Sequence, residues 1–254
     1  MKSKIYSLDG VVEEEIELPE CFSELIRPDL IKRAVLSDES RLYQPKGAFP
    51  RAGLQTSAVY NGRKDDFGSL KNIGQAKLPR EVGAKGQHGK VKRIPSAVKG
   101  RRAHPPKTQK ILIEQMNKKE YKKALRSAIA ATMNTRSEKT LPIIFNNSFE
   151  EIKKTNQVLS VFEKFGIAKD IEKAKIKTKA LSGTRRVRSK SKYTPKSILV
   201  IVKEGAVLKA ARNLAGVDAI RVSELKVRHL APGTHAGRFT VFSENAIEEL
   251  RKML

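Results

Sequence analysis

A 70-residue segment, residues 41–110, interrupts the sequence patterns of this chain and limits what the chain can fold into. The segment holds nine of the sixteen glycines and six of the eleven prolines, with few Leu, Ile or Val residues. Such a composition cannot bury enough apolar surface to offset the entropy lost on ordering. We therefore predict a long extended loop without regular structure, inserted in a folded domain, and insertions of this length are usually functional.

Positive charge is concentrated in this segment and in one other. Residues 41–110 contain 17 Lys and Arg against three acids, and residues 173–196 contain ten more bases and no acid. Together the two blocks account for 24 of the formal net charge of +25. Clustered Lys and Arg displace the counterions that condense on phosphate groups, so this distribution is typical of a polyanion-binding protein. A nucleic acid is therefore the leading class of partner.

Aromatic residues are spaced among the bases of the first block, namely Tyr43, Phe49, Tyr60 and Phe67. Unpaired nucleic-acid bases stack on such rings, with ~1 to 3 kcal/mol for each base. The spacing favours contact with unpaired bases over the plainer interpretation, in which residues 41–110 are a disordered linker.

The remaining residues, 1–40 and 111–254, carry the periodic patterns of strands and helices and are predicted to form one globular core. The expected elements are a hairpin of residues 4–8 and 11–18, helices at 22–42 and 117–134, a strand at 141–145, a helix at 148–166, a strand at 198–202, a helix at 206–214, a strand at 217–222, a short helix from 223, a strand at 239–242 and a helix at 243–254. Alternating strands and helices with short connections predict right-handed crossovers. The fold class is therefore expected to be α/β, with a three-layer, mostly parallel sheet.

Helix starts are indicated by local motifs. Asn117 with Glu120, and Ser148 with Glu151, have the spacing of a capping box. Ser243 is expected to cap the last helix. Pro28, within the first predicted helix, is expected to lie in its first turn or to mark a kink.

Catalytic, metal and membrane functions have little support in the sequence. Cys21 is the only cysteine, which excludes an intrachain disulfide and favours a cytosolic, reducing compartment, and the four scattered histidines do not suit a zinc site. No apolar run approaches the ~20 residues that span a bilayer. The glycines of residues 83–90 resemble a phosphate-binding loop, but Ala84 and Val91 replace residues that this loop requires. We predict no catalytic residue, no metal and no cofactor.

The most specific motif is Pro95–Lys107, read as an extended, proline-stiffened basic strand. In it Arg101 and Arg102 can bridge phosphates, and His104 can stack or donate a hydrogen bond. This motif closely resembles the signature of the universal large-ribosomal-subunit protein four family, in its archaeal and eukaryotic branch. Further matches to that family are Ile26–Ile31, Arg33–Val35, Ala52–Leu54, Ala124–Thr132, Ala210–Leu214 and Leu230–Gly233. The length is similar to that of archaeal members.

The resemblance implies a structural protein of the cytoplasmic large ribosomal subunit. It implies an α/β core on the subunit surface and a loop threaded through ribosomal RNA (rRNA), whose tip lines the exit tunnel. The implied partners are large-subunit rRNA, neighbouring large-subunit ribosomal proteins and, near the tip, the nascent peptide, with no membrane. The tip maps near residues 67–80, and Lys71, Gln75, Lys77 and Arg80 are expected to line the tunnel, although Ser69–Ile73 departs from the family pattern.

The expected RNA contacts come from both basic blocks. In the first block they are Lys46, Arg51, Arg63, Lys64, Lys71, Lys77, Arg80, Lys85, Lys90, Lys92, Arg93, Lys99, Arg101, Arg102, His104, Lys107 and Lys110, and in the second Arg185, Arg186, Arg188, Lys190 and Lys192. Two other functions stay open at this point. The first is an RNA-modifying or RNA-cleaving enzyme with an α/β core, and the second is a chromatin-like DNA compactor.

Overall fold

The computed structural model describes residues 1–134, 142–188 and 191–253, and the chain divides into two compact units. The first, here called the core unit, combines residues 1–42 with residues from 113 onward, and the second, the basic unit, is residues 43–112. The elements, in chain order, are β1 (Lys2–Tyr6), β2 (Val12–Glu17), α1 (Pro28–Ser40), β3 (Arg80–Val82), β4 (His88–Val91), α2 (Lys118–Ala131), β5 (Ile143–Phe145), α3 (Thr155–Lys164), α4 (Ala168–Ile176), β6 (Lys179–Ala180), α5 (Gly183–Arg188), β7 (Lys192–Tyr193), β8 (Leu199–Val202), α6 (Val207–Arg212), β9 (Asp218–Arg221), α7 (Val227–Leu230), β10 (Thr240–Ser243) and α8 (Glu244–Met253).

The core unit is built on a six-stranded sheet in the order β2-β1-β5-β10-β8-β9. Every neighbouring pair is parallel except β1 and β2, which form the predicted hairpin. The central strand is β10, where Val241 lies opposite Ile143 on one side and Val200 on the other. The predicted α/β fold with a mostly parallel sheet is confirmed.

Both faces of the sheet are covered, which explains the continuous apolar run of β8. Ile144, Leu199 and Phe242 point into one apolar cluster, which α1, α2, α7 and α8 complete. Ile143 and Val200 point into a second cluster, which α3, α4 and α6 complete. Successive strand residues therefore alternate between two cores, as the pleat requires. The result is the expected three layers.

The first helix starts later than the periodicity predicted. Glu20–Phe22 form a 3-10 turn, and α1 begins only at Pro28, which occupies its first position. The ring of a proline disfavours helical geometry in the preceding residue, and Arg27 is extended, with φ −120° and ψ 93°. Phe22 is nevertheless buried in the core, so its apolar character reflects packing outside the helix.

The predicted capping boxes are not formed, whereas the last helix is capped as expected. Asn117 does precede α2, but its side chain makes no capping hydrogen bond, and Glu120 instead accepts a 2.6 Å bond from Arg33 Nη1 on α1. The helix predicted from residue 148 is wrong in its first turn, because residues 147–151 form a 3-10 segment and α3 starts at Thr155. Ser243 Oγ accepts a 3.2 Å bond from the amide of Ala246.

Glu150 explains the interruption before α3. Its Oε1 accepts a 3.1 Å bond from the amide of Lys203 and a 2.5 Å bond from Ser243 Oγ, so it joins the ends of two neighbouring strands. A Cβ added to Gly205 would lie only 2.3 Å from the backbone carbonyl oxygen of Glu150. Gly205 also has a positive φ of 138°. Only glycine fits this contact.

The basic unit contains regular structure that its composition did not predict. Strands β3 and β4 form an antiparallel ribbon, with Arg80 opposite Val91, and Val59 bridges to Arg80 on the other side. Ala58 and Leu70 are buried within the unit. The expectation of an entirely irregular loop is therefore wrong for residues 80–91, where backbone pairing needs few apolar side chains.

The motif Pro95–Lys107 is not the extended strand that was expected. Its first half turns back, because the amide of Gly100 donates to the Ala97 carbonyl at 2.9 Å and that of Arg101 donates to the Arg93 carbonyl at 3.1 Å. A Cβ on Gly53 would lie 2.5 Å from the backbone of residues 100 and 101. The motif is therefore held against another stretch of the same unit.

The second basic block is only partly a loop. Residues 173–176 complete α4, β6 and β7 form a two-stranded ribbon, and α5 lies between them. Leu141, Lys190 and Leu254, which belonged to predicted elements or sites, lie outside the described residues. Within the ranges that the structure describes, none of the helices combines the length and apolar content that crossing a bilayer requires.

Candidate nucleic-acid interface

The basic unit presents almost all of its positive charge to solvent. It holds sixteen Lys and Arg, of which fourteen are exposed and two, Arg80 and Lys92, are half-buried. Among its described side chains the only ion pair joins Arg63 Nε to Asp66 Oδ1, at 3.9 Å. Exposed ion pairs of this kind contribute ~0 to 1 kcal/mol. The unit therefore carries a large positive charge that its own carboxylates do not neutralise.

Turns direct some of these cations outward. Lys85, Arg93 and Lys99 have positive φ angles of 57°, 70° and 60°. This left-handed geometry costs non-glycine residues ~1 to 2 kcal/mol, and it is found here at sharp reversals, one of them between β3 and β4. The basic side chains at these three positions are exposed.

A cleft of about 600 Å³ brings together two stretches that are far apart in the sequence. Phe49 and Pro50 line one side, and Arg101, Arg102 and Lys107 line the other. The amide of residue 48 donates a 3.1 Å hydrogen bond to the carbonyl of residue 106, which holds the two sides in place. Phe49 is 58% exposed, so its ring can be approached by a ligand. An aromatic face beside two guanidinium groups suits a base and its flanking phosphates.

The other predicted aromatic residues are also open to solvent. Phe67 is 82% exposed, Tyr43 60% and Tyr60 39%. Val98 is 81% exposed as well, within the signature motif. Single exposed apolar side chains are common on protein surfaces, so it is the position of these rings among the cations that favours a ligand. The basic unit thus has both the charge and the stacking surfaces that an unpaired nucleic-acid strand requires.

The residues predicted for the loop tip fall into two groups. Lys71, Gln75 and Lys77 are exposed and lie in consecutive turns without regular structure. Arg80 instead begins β3 and is half-buried, and among the described residues its Nε has no hydrogen-bond partner. Leu70, at the start of the tip, is buried and donates its amide to the Asn61 carbonyl at 2.8 Å.

In the second basic block the described basic side chains are exposed. Arg186 on α5 and Lys192 on β7 are open to solvent, and Tyr193, beside Lys192, is 58% exposed. Arg185 and Arg188 also belong to α5. This block therefore repeats, over a shorter length, the combination of cations and an aromatic ring.

Lys196, at the end of the second block, has a different environment that the sequence did not indicate. Its Nζ bonds to Asp218 Oδ1 at 2.6 Å, and Arg238 Nη2 contacts the other carboxylate oxygen at 2.9 Å. Arg238 is 7% exposed and also donates to the carbonyls of Ser197 and His229, at 2.8 and 2.9 Å. Burial alone would raise the pKa of Asp218, but the hydrogen bond from Lys196 and the charge of Arg238 hold that pKa below its usual value. Arg238 is therefore an internal cation of the core unit, whereas Lys196 is paired with Asp218 at the surface.

His229 lies beside this network and is held neutral. The amide of Lys226 approaches Nδ1 at 3.2 Å, and Arg228 Nε approaches Nε2 at 3.3 Å. Burial, together with the charge of Arg228, lowers the pKa of His229 to about 4. A neutral imidazole accepts at one ring nitrogen only, so it can satisfy one of these two donors, whereas the protonated ring would set an N–H against both. Among the described residues, no group of three or more His, Cys, Asp or Glu side chains is arranged to hold a metal ion.

Comparison with known proteins places these features in context. Residues 16–253 match the model of the ribosomal protein L4/L1 family. The "Large ribosomal subunit protein uL4" of Methanocaldococcus jannaschii is 47% identical over 99% of each chain. The proteins of the same name from Archaeoglobus fulgidus and Methanoculleus marisnigri are 43% identical over the full length of both chains and 42% identical over 99% of each.

Proposed function

The chain belongs to the ribosomal protein L4/L1 family, and from this premise we propose that it is a structural, non-enzymatic constituent of the large ribosomal subunit that binds large-subunit rRNA. The observation that carries the proposal is the basic unit, in which fourteen cations are exposed and, among the described side chains, a single ion pair neutralises charge. In the free protein, the positively charged side chains of this unit would repel one another. Bound to RNA, it would release the counterions that condense on the phosphates.

The cleft between Phe49 and the signature motif is the proposed site of closest RNA contact. An unpaired base stacks on the exposed ring of Phe49, and Arg101 and Arg102 make charge-assisted hydrogen bonds to phosphates on either side. His104 lies in the same stretch, is exposed, and adds a donor or a stacking surface. The remaining exposed bases of both blocks hold the RNA backbone without reading its sequence.

The segment of residues 71–77 is the proposed point of contact with the nascent peptide in the exit tunnel. The family resemblance suggests this role, and the exposure of Lys71, Gln75 and Lys77 is compatible with it. Arg80, paired in β3, is better suited to support the segment than to line the tunnel. The exposed apolar residues of the chain are proposed to meet neighbouring large-subunit proteins or RNA.

Cosedimentation tests the proposal. A tagged copy of the chain, expressed in an archaeal host, should be recovered almost wholly with large subunits in a sucrose gradient. Recovery in the free pool would favour an RNA-modifying or RNA-cleaving enzyme. A purified chain that prefers duplex DNA to structured rRNA in a competition assay would favour a DNA compactor.

A deletion within the tip tests the tunnel contact separately. Removal of residues 71–77 leaves Leu70 and its buried contact in place, so the basic unit should fold and enter large subunits. Ribosomes with the deletion should then differ from the parent in nascent-chain stalling or in sensitivity to tunnel-binding antibiotics. Unchanged stalling and sensitivity, with normal incorporation, would remove the tunnel role and leave rRNA binding intact.

A further inference from the structure

The exposed face of α2, which belongs to neither basic block, concentrates positive charge in the core unit. Lys119, Lys122, Lys123 and Arg126 follow the spacing i, i+3, i+4, i+7 and therefore share one side of the helix. The three lysines are exposed and Arg126 is half-buried. The net charge outside the two basic blocks is low nevertheless, because acidic residues elsewhere in the core unit, four of them on β2, offset these cations in the total.

The opposite face of α2 fixes the helix in position. Ala124, Leu125, Ala128 and Ile129 are buried in the apolar cluster that α1 and α7 complete. At the side of the helix, Glu120 is paired with Arg33 of α1 at 2.6 Å. The lysines therefore extend from a rigid support, and arranging them for a ligand requires only side-chain ordering.

A shallow groove of about 300 Å³ runs along this face. It is lined by the four cations and by Glu24, with no apolar side chain. Among the described residues, none of the three lysines has an ion pair or a side-chain hydrogen bond. The single carboxylate of Glu24 offsets only part of their charge, so the groove remains positive. Glu17 and Glu20 line the adjoining cleft, together with Arg126 and Arg251.

We propose that this groove binds the phosphate backbone of large-subunit rRNA and forms a third RNA contact, an inference that rests on the proposed function. Residues 119 and 126 are about 10.5 Å apart along the helix axis, and a duplex nucleic acid carries one charge per ~3.4 Å of each strand. The groove is therefore long enough to contact more than one phosphate of the same strand. A protein partner fits less well, because the cores of protein interfaces are rich in aromatic and apolar side chains and depleted in Lys and Glu, whereas this groove is lined by charged side chains.

The test compares two triple variants of the full chain. In K119Q/K122Q/K123Q the groove loses three charges, and in the control K153Q/K154Q/K209Q the core unit loses three other exposed lysines. Affinity for transcribed Methanocaldococcus jannaschii large-subunit rRNA is measured from 50 to 200 mM salt. The plot of log K against log salt has a negative slope, and in the groove variant this slope should be shallower by about 2 to 3. Binding at 50 mM salt should be weaker by at least about tenfold. The control should follow the parent chain.

Each other outcome overturns the inference. If the parent binds steeply with salt but both triple variants behave alike, the groove makes no RNA contact while the proposed function stands. If the parent itself shows a flat salt dependence, both proposals fail together. If the groove variant binds bare rRNA like the parent but is depleted from large subunits in cells, the groove receives an acidic protein surface instead.

Discussion

The two units place the same kinds of side chain in opposite environments. Phe145, Phe162 and Phe242 of the core unit are fully buried, whereas Phe49 and Phe67 of the basic unit are mostly exposed. Burial of an aromatic ring stabilises the core unit within the chain itself. The exposed rings of the basic unit make no comparable gain until a partner covers them. The core unit thus buries its aromatic rings within the chain, whereas the basic unit keeps its own rings open to a binding partner.

Arginine shows the same contrast. Arg238 is almost completely buried and its donors meet several carbonyls and the carboxylate of Asp218. Arg101 and Arg102 are exposed and line an open cleft. Arg238 therefore stabilises the interior of the core unit, whereas Arg101 and Arg102 are available to bind a ligand.

The largest effect is expected from salt. If the open cations of the basic unit and the second block make even ~8 phosphate contacts, affinity for large-subunit rRNA should fall by about three to five orders of magnitude between 50 and 200 mM salt. Unfolding of the core unit, followed by circular dichroism, should change little over the same range, because its Arg238 network is buried. A nearly flat binding curve would reject phosphate contact as the main source of affinity.

The next effect concerns the cleft. Replacing Arg101 and Arg102 with Ala removes two charge-assisted contacts, with ~1.5 to 3 kcal/mol lost for each, so incorporation into large subunits should weaken. Filter binding to rRNA gives the affinity, and gradient fractionation gives the incorporation. The matched control is Lys153→Ala with Lys154→Ala, an adjacent exposed pair of the core unit. Equal losses in both double variants would mean that only total charge matters.

Two phenylalanines allow a direct comparison of the units. Phe162→Ala should destabilise the core unit by about 3 to 5 kcal/mol, because a buried ring leaves a cavity. Phe67→Ala should leave the denaturant midpoint unchanged and weaken rRNA binding by ~1 to 3 kcal/mol, since only a stacking surface is lost. Chemical denaturation and filter binding, applied to both variants, separate the two outcomes. A large stability loss in Phe67→Ala would contradict the proposed division.

The smallest effect is a pH dependence in the core unit. Because the pKa of His229 is about 4 in the folded chain and about 6.5 when unfolded, the unfolded state takes up the proton first as pH falls. Stability from the neutral ring is complete above pH 6.5 and is lost toward pH 4, by about 1 to 2 kcal/mol once the shift is reduced for the exposed part of the ring. In His229→Gln this part of the pH dependence should disappear from urea titrations. Its persistence would assign the effect to neighbouring carboxylates.

Most of the core unit could be predicted from the sequence because its signals are local. The apolar run predicted strand β8, and the glycine at residue 166 predicted the end of helix α3. Both predictions agree with the structure within a few residues. Boundaries that depend on tertiary contacts were missed. Glu120 and Glu150 were assigned to capping boxes, but their carboxylates reach Arg33 and Ser243 on other elements. Sequence spacing contains no information on such distant partners.

The residue types of the candidate interface were predicted from the sequence, but their arrangement in space was not. Composition identified the bases and rings of the basic unit, yet the cleft joins Phe49 to Arg101 across about fifty residues. The β3–β4 ribbon was missed because its three- and four-residue strands show no apolar alternation. The Arg238 network was missed because Lys196, Asp218 and Arg238 come from three separate segments that only the sheet brings together.

The position of β10 in the sheet has a consequence for the timing of synthesis. This strand lies between β5 and β8 in the sheet, yet it follows β5 by about 95 residues in the sequence and is the last of the six strands in chain order. At ~5 to 20 residues per second, the hairpin and β5 wait roughly 5 to 20 s for the strand that joins them to β8 and β9. The basic unit has been translated well before that moment. During synthesis the proposed polyanion-binding surface is therefore exposed before β10 joins the two parts of the core sheet.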